Sequence, residues 1–460
     1  MNATFLLSGA VLLASLFFGG GARRDILSDW IPVLLSCALL VVAYPSARHR
    51  LAEDRFFAAL LIALLVVVLL QFIPLPPVIW GGLPGRTELT ELFMQSGVAP
   101  PWSSLAVRSA EAARSAISLL PGLALCLATI NLDSDQRQNL VYIVIAAALI
   151  NAPLGMLQIL GGPGSPLYFY RITNQGNAVG LFANRNHFAA LFFCTIPFVV
   201  ATFTSKKQIA GAPRWMLGAV AGFILVIGLS ISGSRTALIL GIVAVVLSVL
   251  FVARRELNEL IRGRRALAAL GVSALLIIPL AMGAGLLAIF QRFDTQDLVE
   301  DGRWTFAKIT WDAIVSFLPV GAGLGSFQQL YQLREPAETV VQPIVNHAHN
   351  DWLEVTLELG LPGVLLAASS VVWMSLALKR AVGMPGTDGR VARAALIALL
   401  LLAIHSIWDY PLRTVALSAL FGLCCGLTFR PGVAVAREEP GRKRRRRSNS
   451  SSRRSANATA

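Results

Sequence analysis

The sequence predicts an all-α, polytopic integral membrane protein that crosses the bilayer about twelve times. Of its 460 residues, 55% are hydrophobic and only 14% are charged, with a mean hydropathy of +0.67. A water-soluble domain carries about a quarter charged residues. The apolar residues are gathered into runs long enough to span the hydrocarbon core, which takes roughly 20 residues of helix. The polar residues lie between those runs, above all in one stretch, 291–360.

The spanning runs fall at 3–20, 29–45, 56–73, 116–131, 138–160, 187–204, 215–233, 236–253, 266–290, 361–378, 392–409 and 412–429. The first also has the length of a signal-peptide core, but it lacks a basic flank and a small-residue cleavage site. Arginine and lysine set the orientation. Arg48, Arg50 and Arg55 follow the second run, and Lys206, Lys207 and Arg214 follow the sixth. Arg254, Arg255, Arg262, Arg264 and Arg265 follow the eighth; Lys379, Arg380, Arg390 and Arg393 follow the tenth. In a twelve-span chain these loops share one side with everything after Arg430, and the positive-inside rule makes that side cytoplasmic. Arg23 and Arg24, between the first two runs, go against the rule.

Three longer segments, 74–115, 161–186 and 291–360, then face outward. The largest of them joins the ninth and tenth runs. Segment 74–115, rich in Pro, Gly and Trp, reads as irregular loop with interfacial aromatics and a short helix near 103–115. Residues 1–430 form the membrane domain. Residues 431–460, with the basic run Arg442–Arg447, form a low-complexity cytoplasmic tail. The net charge of +14 is therefore a matter of orientation and anionic lipid, not of nucleic acid. All five cysteines sit in apolar runs, which leaves neither a disulfide framework nor a thiolate metal site.

Four polar clusters mark the external ends of the spans. They are Asn184-Arg185-Asn186-His187; Ser232-Gly233-Ser234-Arg235-Thr236-Ala237; Asp301-Gly302-Arg303-Trp304; and Asn346-His347-Ala348-His349-Asn350-Asp351-Trp352-Leu353-Glu354. After the third, Trp304, Ala307, Trp311, Ile314 and Leu318 recur at helical spacing and predict an amphipathic helix. An arginine in a turn at the hydrocarbon boundary, such as Arg235, is costly to desolvate. It is kept there for an anionic partner, or it snorkels to headgroup phosphate. Arg185, Arg235 and Arg303 on one face favour a phosphate clamp, because guanidinium forks bind phosphate oxygens bidentately.

His347 and His349 lack third and fourth metal ligands at recognisable spacing. A histidine base suits the stretch better, since an imidazole with its ordinary pKa of about 6.5 accepts a proton near neutrality. Asp351-x-x-Glu354 before an apolar run has the form of a capping box, and Glu358 follows one turn later on the same face. Gly321-x-Gly323-x-Gly325-Ser326 reads as a flexible turn, with no strand before it to make a nucleotide loop.

The ordered set Phe182-x-Asn184-x-Asn186, Ser232–Ala237, Gly302-Arg303, Gly321-x-Gly323-x-Gly325-Ser326-Phe327 and His347-x-His349-Asn350-Asp351-Trp352-Leu353-Glu354-x3-Glu358-x-Gly360 resembles the O-antigen ligase and O-antigen polymerase family. The resemblance covers about residues 170–370. It implies a glycosyltransferase of the bacterial inner membrane with its active site in the periplasm. Such an enzyme passes a glycan from undecaprenyl diphosphate to an acceptor hydroxyl, inverting the anomeric centre without a metal or other cofactor. Carried onto this chain, the resemblance implies His349 as base and Arg235, with Arg185 or Arg303, as diphosphate clamp. His347, Asn350, Asp351 and Glu358 are then loop or acceptor positions. The acceptor, a lipid or a glycan, is not specified by the motifs, and ligase and polymerase remain equally open. The rival class is a secondary transporter or a lipid-linked glycan flippase. Such proteins place charges at mid-membrane and carry inverted repeats. The runs here are nearly free of charge, with His405 and Asp409 the one pair that resembles a relay.

Overall fold

The computed structural model describes residues 2–22, 27–203, 208–209, 212–253, 298–340 and 344–432. The predicted run at 266–290, the basic loop residues 254–265, Arg23 and Arg24, and the tail from 433 lie outside the described residues. The described chain is mostly helical, and eleven of the twelve predicted runs coincide with helices in it. Seven of the described helices are long and apolar enough to cross a membrane, and three more apolar helices, Ala3–Phe18, Arg55–Leu70 and Val415–Leu427, are shorter.

Sixteen helices order the description: α1 (Ala3–Phe18), α2 (Trp30–Leu51), α3 (Arg55–Leu70), α4 (Pro77–Gly81), α5 (Thr87–Gln95), α6 (Ser109–Ser118), α7 (Leu120–Asn131), α8 (Ser134–Leu160), α9 (Arg185–Phe203), α10 (Arg214–Ile231), α11 (Arg235–Leu247), α12 (Leu298–Phe317), α13 (Phe327–Arg334), α14 (Asp351–Gly383), α15 (Gly386–His405) and α16 (Val415–Leu427). Local chemistry sets their starts. Asp54 caps α3 by accepting from Phe57 N, and Asp133 with Gln136 forms a full capping box on α8.

The centre of the bundle is α9. It is apolar on all sides, from His187 through Thr202 nearly every residue is buried, and it packs against α8, α10, α11 and α15. A helix hydrophobic all round is buried in protein or faces lipid; this one is buried, and it carries His187 inward from its first turn. Glycines bring α7 and α16 together. A Cβ on Gly422 would stand 1.9 Å from the carbonyl oxygen of Gly122. Small residues at such a crossing let two backbones touch where lipid gives little drive for association.

Two stretches differ from expectation in ways that shape the site. Segment 74–115 holds three short helices, α4, α5 and α6, and an antiparallel pairing of Pro74-Leu75 with Ser103-Ser104. Far from being a loose connector, it donates Val107 N to Ala322 O and is held by fully buried Arg86, whose guanidinium bonds the carbonyls of Pro84 and Leu105. The glycine turn is likewise fixed. Gly321, Gly323 and Gly325 all have positive φ, and a Cβ at Gly323 would collide with Ala106 at 2.4 Å. This turn wedges into a break in α14 at Gly360, whose φ of 60° and ψ of −144° only glycine adopts readily. The break frees carbonyls, and the turn uses them: Ala322 N donates to Leu357 O and Gly323 N to Glu358 O.

The amphipathic helix predicted after Arg303 exists as α12. Trp304 and Trp311 are exposed, whereas Phe306, Ile309, Ala313, Ile314 and Phe317 form the core with Phe327 and Tyr331.

Candidate active site

One end of the bundle gathers the starts of α9, α14 and α16 and the end of α15. The 406–414 turn between α15 and α16 lies against the 346–350 strand of chain that leads into α14. Asp351 N donates to Ser406 O, Asn350 Nδ2 to Ile407 O and Ser406 Oγ to Asp351 Oδ2. The two segments therefore fold as one unit.

Arg413 is the hub of that unit. Its guanidinium reaches Glu358 at 2.7 Å, Asp351 at 3.3 Å and Glu354 at 3.5 Å. Burial alone would lower its pKa, but Glu358, Glu354 and Asp351 more than offset it and raise it beyond the ordinary arginine value. The carboxylates have further partners. Glu358 Oε1 accepts from Gly325 N at 2.7 Å, which ties the glycine turn to the site, and Glu354 accepts from Ala348 N at 2.7 Å and from His347 Nδ1 at 3.1 Å. The capping-box reading of Asp351 and Glu354 is thus corrected. Asn350 caps α14 by accepting from Leu353 N, and the two acids are turned inward because buried Arg413 needs counter-charge.

His347 and His349 part company. His347 is buried, paired with Glu354 and stacked on Tyr410 with ring centroids 4.1 Å apart. His349 has a φ of 50°, the one non-glycine residue with positive φ among the described residues. That backbone state costs of order 1 kcal/mol for an ordinary side chain. The imidazole meets the Tyr410 ring edge to face rather than stacked, with Nδ1 3.6 Å from Asp409 Oδ1 and the ring against Phe306. Nδ1 has no hydrogen-bond partner among the described residues.

Asp409 faces a second imidazole as well. His187 Nε2 stands 3.6 Å from the same Oδ1, Tyr410 N donates to that oxygen at 2.9 Å, and Asn186 Nδ2 donates to Oδ2. Burial would raise this carboxyl, but the imidazoles of His187 and His349 outweigh it and hold it well below the usual carboxylate range. Burial and the adjoining Asp409 charge push the Tyr410 phenol up. Among the described residues no three His, Cys, Asp or Glu side chains are grouped as a metal ion needs.

The three predicted arginines are placed unequally. Arg303 lies one turn before Phe306 on α12, and its charge reaches His405. Arg185 opens α9 beside Asn186, with its guanidinium on Asn177 Oδ1 at 3.2 Å. Arg235 is the first residue of α11, after a Ser234 cap and a positive-φ Gly233. That helix packs against α9 and α15. Sequence reading missed Asp409, Tyr410 and Arg413 as members of this site, and took His405–Asp409 as a pair. His405 is in fact turned toward Phe193, while Asp409 turns toward His187 and His349. The regular helix ends at His405, and one further turn, closed by Asp409 N donating to His405 O, carries Asp409 toward the other two imidazoles.

Comparison with known proteins returns one family, described as O-antigen ligase, whose model matches residues 219–368. No curated protein matches the chain. The matched span contains Arg235, Arg303, both loop histidines, Glu354 and Glu358, and stops before Asp409 and Arg413. Over residues 219–368 the chain is similar to the O-antigen ligase family.

Proposed function

We propose that this protein transfers a glycan from an undecaprenyl-diphosphate donor to an acceptor hydroxyl, at the periplasmic face of the bacterial inner membrane. In this reading His349 takes the proton of the acceptor hydroxyl as its oxygen bonds to the anomeric carbon. The bond from that carbon to the diphosphate oxygen breaks on the opposite face, so the anomeric centre inverts. A diphosphate is a good leaving group and needs no acid. It needs neutralisation of charge as it departs, the task given to Arg235, Arg303 and Arg185. His347, Asn350, Asp351 and Glu358 hold the loop on which the base stands. The lipid tails confine both substrates to one interface, which contributes to their orientation.

The observation that carries the reading is His349 itself, held in a strained backbone state within the family-matched span with its ring against an ionised carboxylate. Strain of this kind persists where the surroundings over-determine it and is concentrated at working sites. The test is transfer from purified lipid-linked donor in detergent with EDTA present. The parent should transfer, and Arg235→Lys should lose about tenfold or more, since a point charge replaces a charge-assisted fork worth about 1.5–3 kcal/mol. A parent that is inactive only when EDTA is present refutes the metal-free mechanism. In cells lacking the gene, single units left on the acceptor identify a polymerase, and full-length chains left on undecaprenyl diphosphate identify a ligase. Orientation is read separately: a cysteine at Thr339 should react with an impermeant thiol reagent in spheroplasts.

A further inference from the structure

The transferase reading gives His187 no task, yet its placement is costly. The side chain is fully buried in the first turn of α9, and neither ring nitrogen has a hydrogen-bond partner among the described residues. An imidazole so placed gives up its hydration without replacement. Its Nε2 stands 3.6 Å from Asp409 Oδ1, beyond hydrogen-bond range, and His349 Nδ1 stands 3.6 Å from the same oxygen. A carboxylate oxygen offers two lone-pair sites. Tyr410 N fills one of them at 2.9 Å, so two imidazoles face a single remaining site and neither has closed on it. The Tyr410 ring braces both, meeting His187 and His349 edge to face with centroids 4.9 and 5.0 Å apart.

We infer that His187 is a positioning residue for transfer: it competes with His349 for Asp409 and keeps the carboxylate from closing on the base until the base is charged. This role rests on the transferase reading, with His349 as base. While His349 is neutral, its Nδ1–H and the Nε2–H of His187 are donors of equal strength, and the oxygen stays between them. When His349 Nε2 takes the proton of the acceptor hydroxyl, its Nδ1–H becomes the stronger, charge-assisted donor. Asp409 then closes on His349 and releases His187, and it returns when the proton leaves. The pairing is made as the base gains its charge and not before, which is the condition for an interaction to raise kcat. Without the competitor, the carboxylate closes on neutral His349 and favours its protonated, inactive form.

Other charges near these three groups are common to parent and variants. His405 ends α15 with Nδ1 unpartnered among the described residues, and the charge of Arg303 on α12 reaches it. Arg185 on α9 bonds Asn177, Arg235 opens α11, and His347 pairs with Glu354. The acids of α14 are met by Arg413. Helices α8 and α10 bring Asp135, Arg137 and Arg214 only to the opposite end of α9, where Gln138 bonds Thr202 and Gly218 lies against Phe203.

The test is the pH profile of kcat for transfer by the full chain in detergent. His187→Phe and His187→Leu both remove the donor and differ in size, so that loss of folding in one leaves the other to be measured. Each should move the acid limb of the profile up by about one pH unit, roughly a tenfold loss on the limb, with the alkaline plateau near that of the parent. His187→Gln sets an amide N–H near the position of Nε2 and should return the limb toward the parent's. In an Asp409→Asn background, His187→Phe should leave the limb where it is. A limb that stays in place while the rate falls equally at every pH makes His187 a packing residue and overturns this role. A shift that survives in the Asp409→Asn background, or a Gln variant that behaves as Phe does, overturns it as well. Failure of the transferase reading is seen separately, as a parent that transfers nothing. The ¹⁵N-labelled imidazole of His349, identified by its loss in His349→Gln, should then still titrate at higher pH in His187→Phe than in the parent, and equal titration would by itself overturn the sharing of Asp409.

Discussion

Two groups of carboxylates stand a few residues apart at the same end of this bundle, and they are built on opposite principles. Around Arg413, three acids share one guanidinium, and their oxygens are further met by Gly325 N, Ala348 N, Ser406 Oγ and His347. Around Asp409, one acid faces two imidazoles at 3.6 Å, and the Nδ1 of His349 has no hydrogen-bond partner among the described residues. The first group is satisfied and the second is poised. A closed network of buried charges fixes geometry, because breaking any one pair leaves an uncompensated charge. A carboxylate beside incompletely bonded imidazoles leaves room for a proton and a substrate to enter. Burial is nearly the same in both, so burial alone does not separate frame from working part. Completeness of hydrogen bonding does.

The largest effect expected from breaking this contrast is at Arg413. Arg413→Met leaves Asp351, Glu354 and Glu358 buried without counter-charge and should cost about 3–5 kcal/mol of stability. Thermal unfolding in detergent should show a protein that no longer survives purification, and an unaltered melting temperature would show that the three acids are not held by this residue. Next is His349→Gly. It removes the proposed base and also relieves the positive φ, so transfer should fall about 10²–10⁴-fold while stability stays within about 1 kcal/mol of the parent. Loss of activity together with loss of folding would move His349 from the working group to the frame.

Asp409→Asn keeps the shape and removes the charge facing both imidazoles. One charge-assisted interaction of about 1.5–3 kcal/mol corresponds to a roughly 10–100-fold loss of kcat. The sign of its pH dependence follows from the depressed carboxyl. The contribution is fully present above the unfolded value of about 3.9 and fades only as pH falls through the lower folded value. The ratio of parent to variant rate should therefore be flat from about pH 5 to pH 8; a ratio that collapses within that window would mean that Asp409 is protonated at the site. The smallest effect is expected at His347→Ala, which loses the pairing with Glu354 and the stacking on Tyr410. It should cost about 1–3 kcal/mol of stability and less activity than His349→Gly. The reverse order would exchange the roles of the two histidines.

What was legible in the sequence was what depends on local pattern. Runs of apolar residues determine helices in a bilayer because every backbone polar group must be satisfied within its own segment, and all eleven such runs among the described residues coincide with helices. The polar clusters and their family likeness were legible because they are short and contiguous. What only the tertiary structure decided was which of those residues meet. Asp409 lies sixty residues from His349 and more than two hundred from His187. Its own neighbourhood offers only His405, four residues earlier, as a partner, and that imidazole packs on Phe193. Arg413 gave no signal, because a single arginine after an apolar run reads as a boundary charge until three acids of α14 turn toward it. The glycine turn was misread as loose for the same reason: positive φ is a local property, but its rigidity comes from Ala106 and from the break at Gly360. The 1.5 Å rise and 3.6-residue repeat of a helix fix which side chains share a face, and only packing fixes what that face sees.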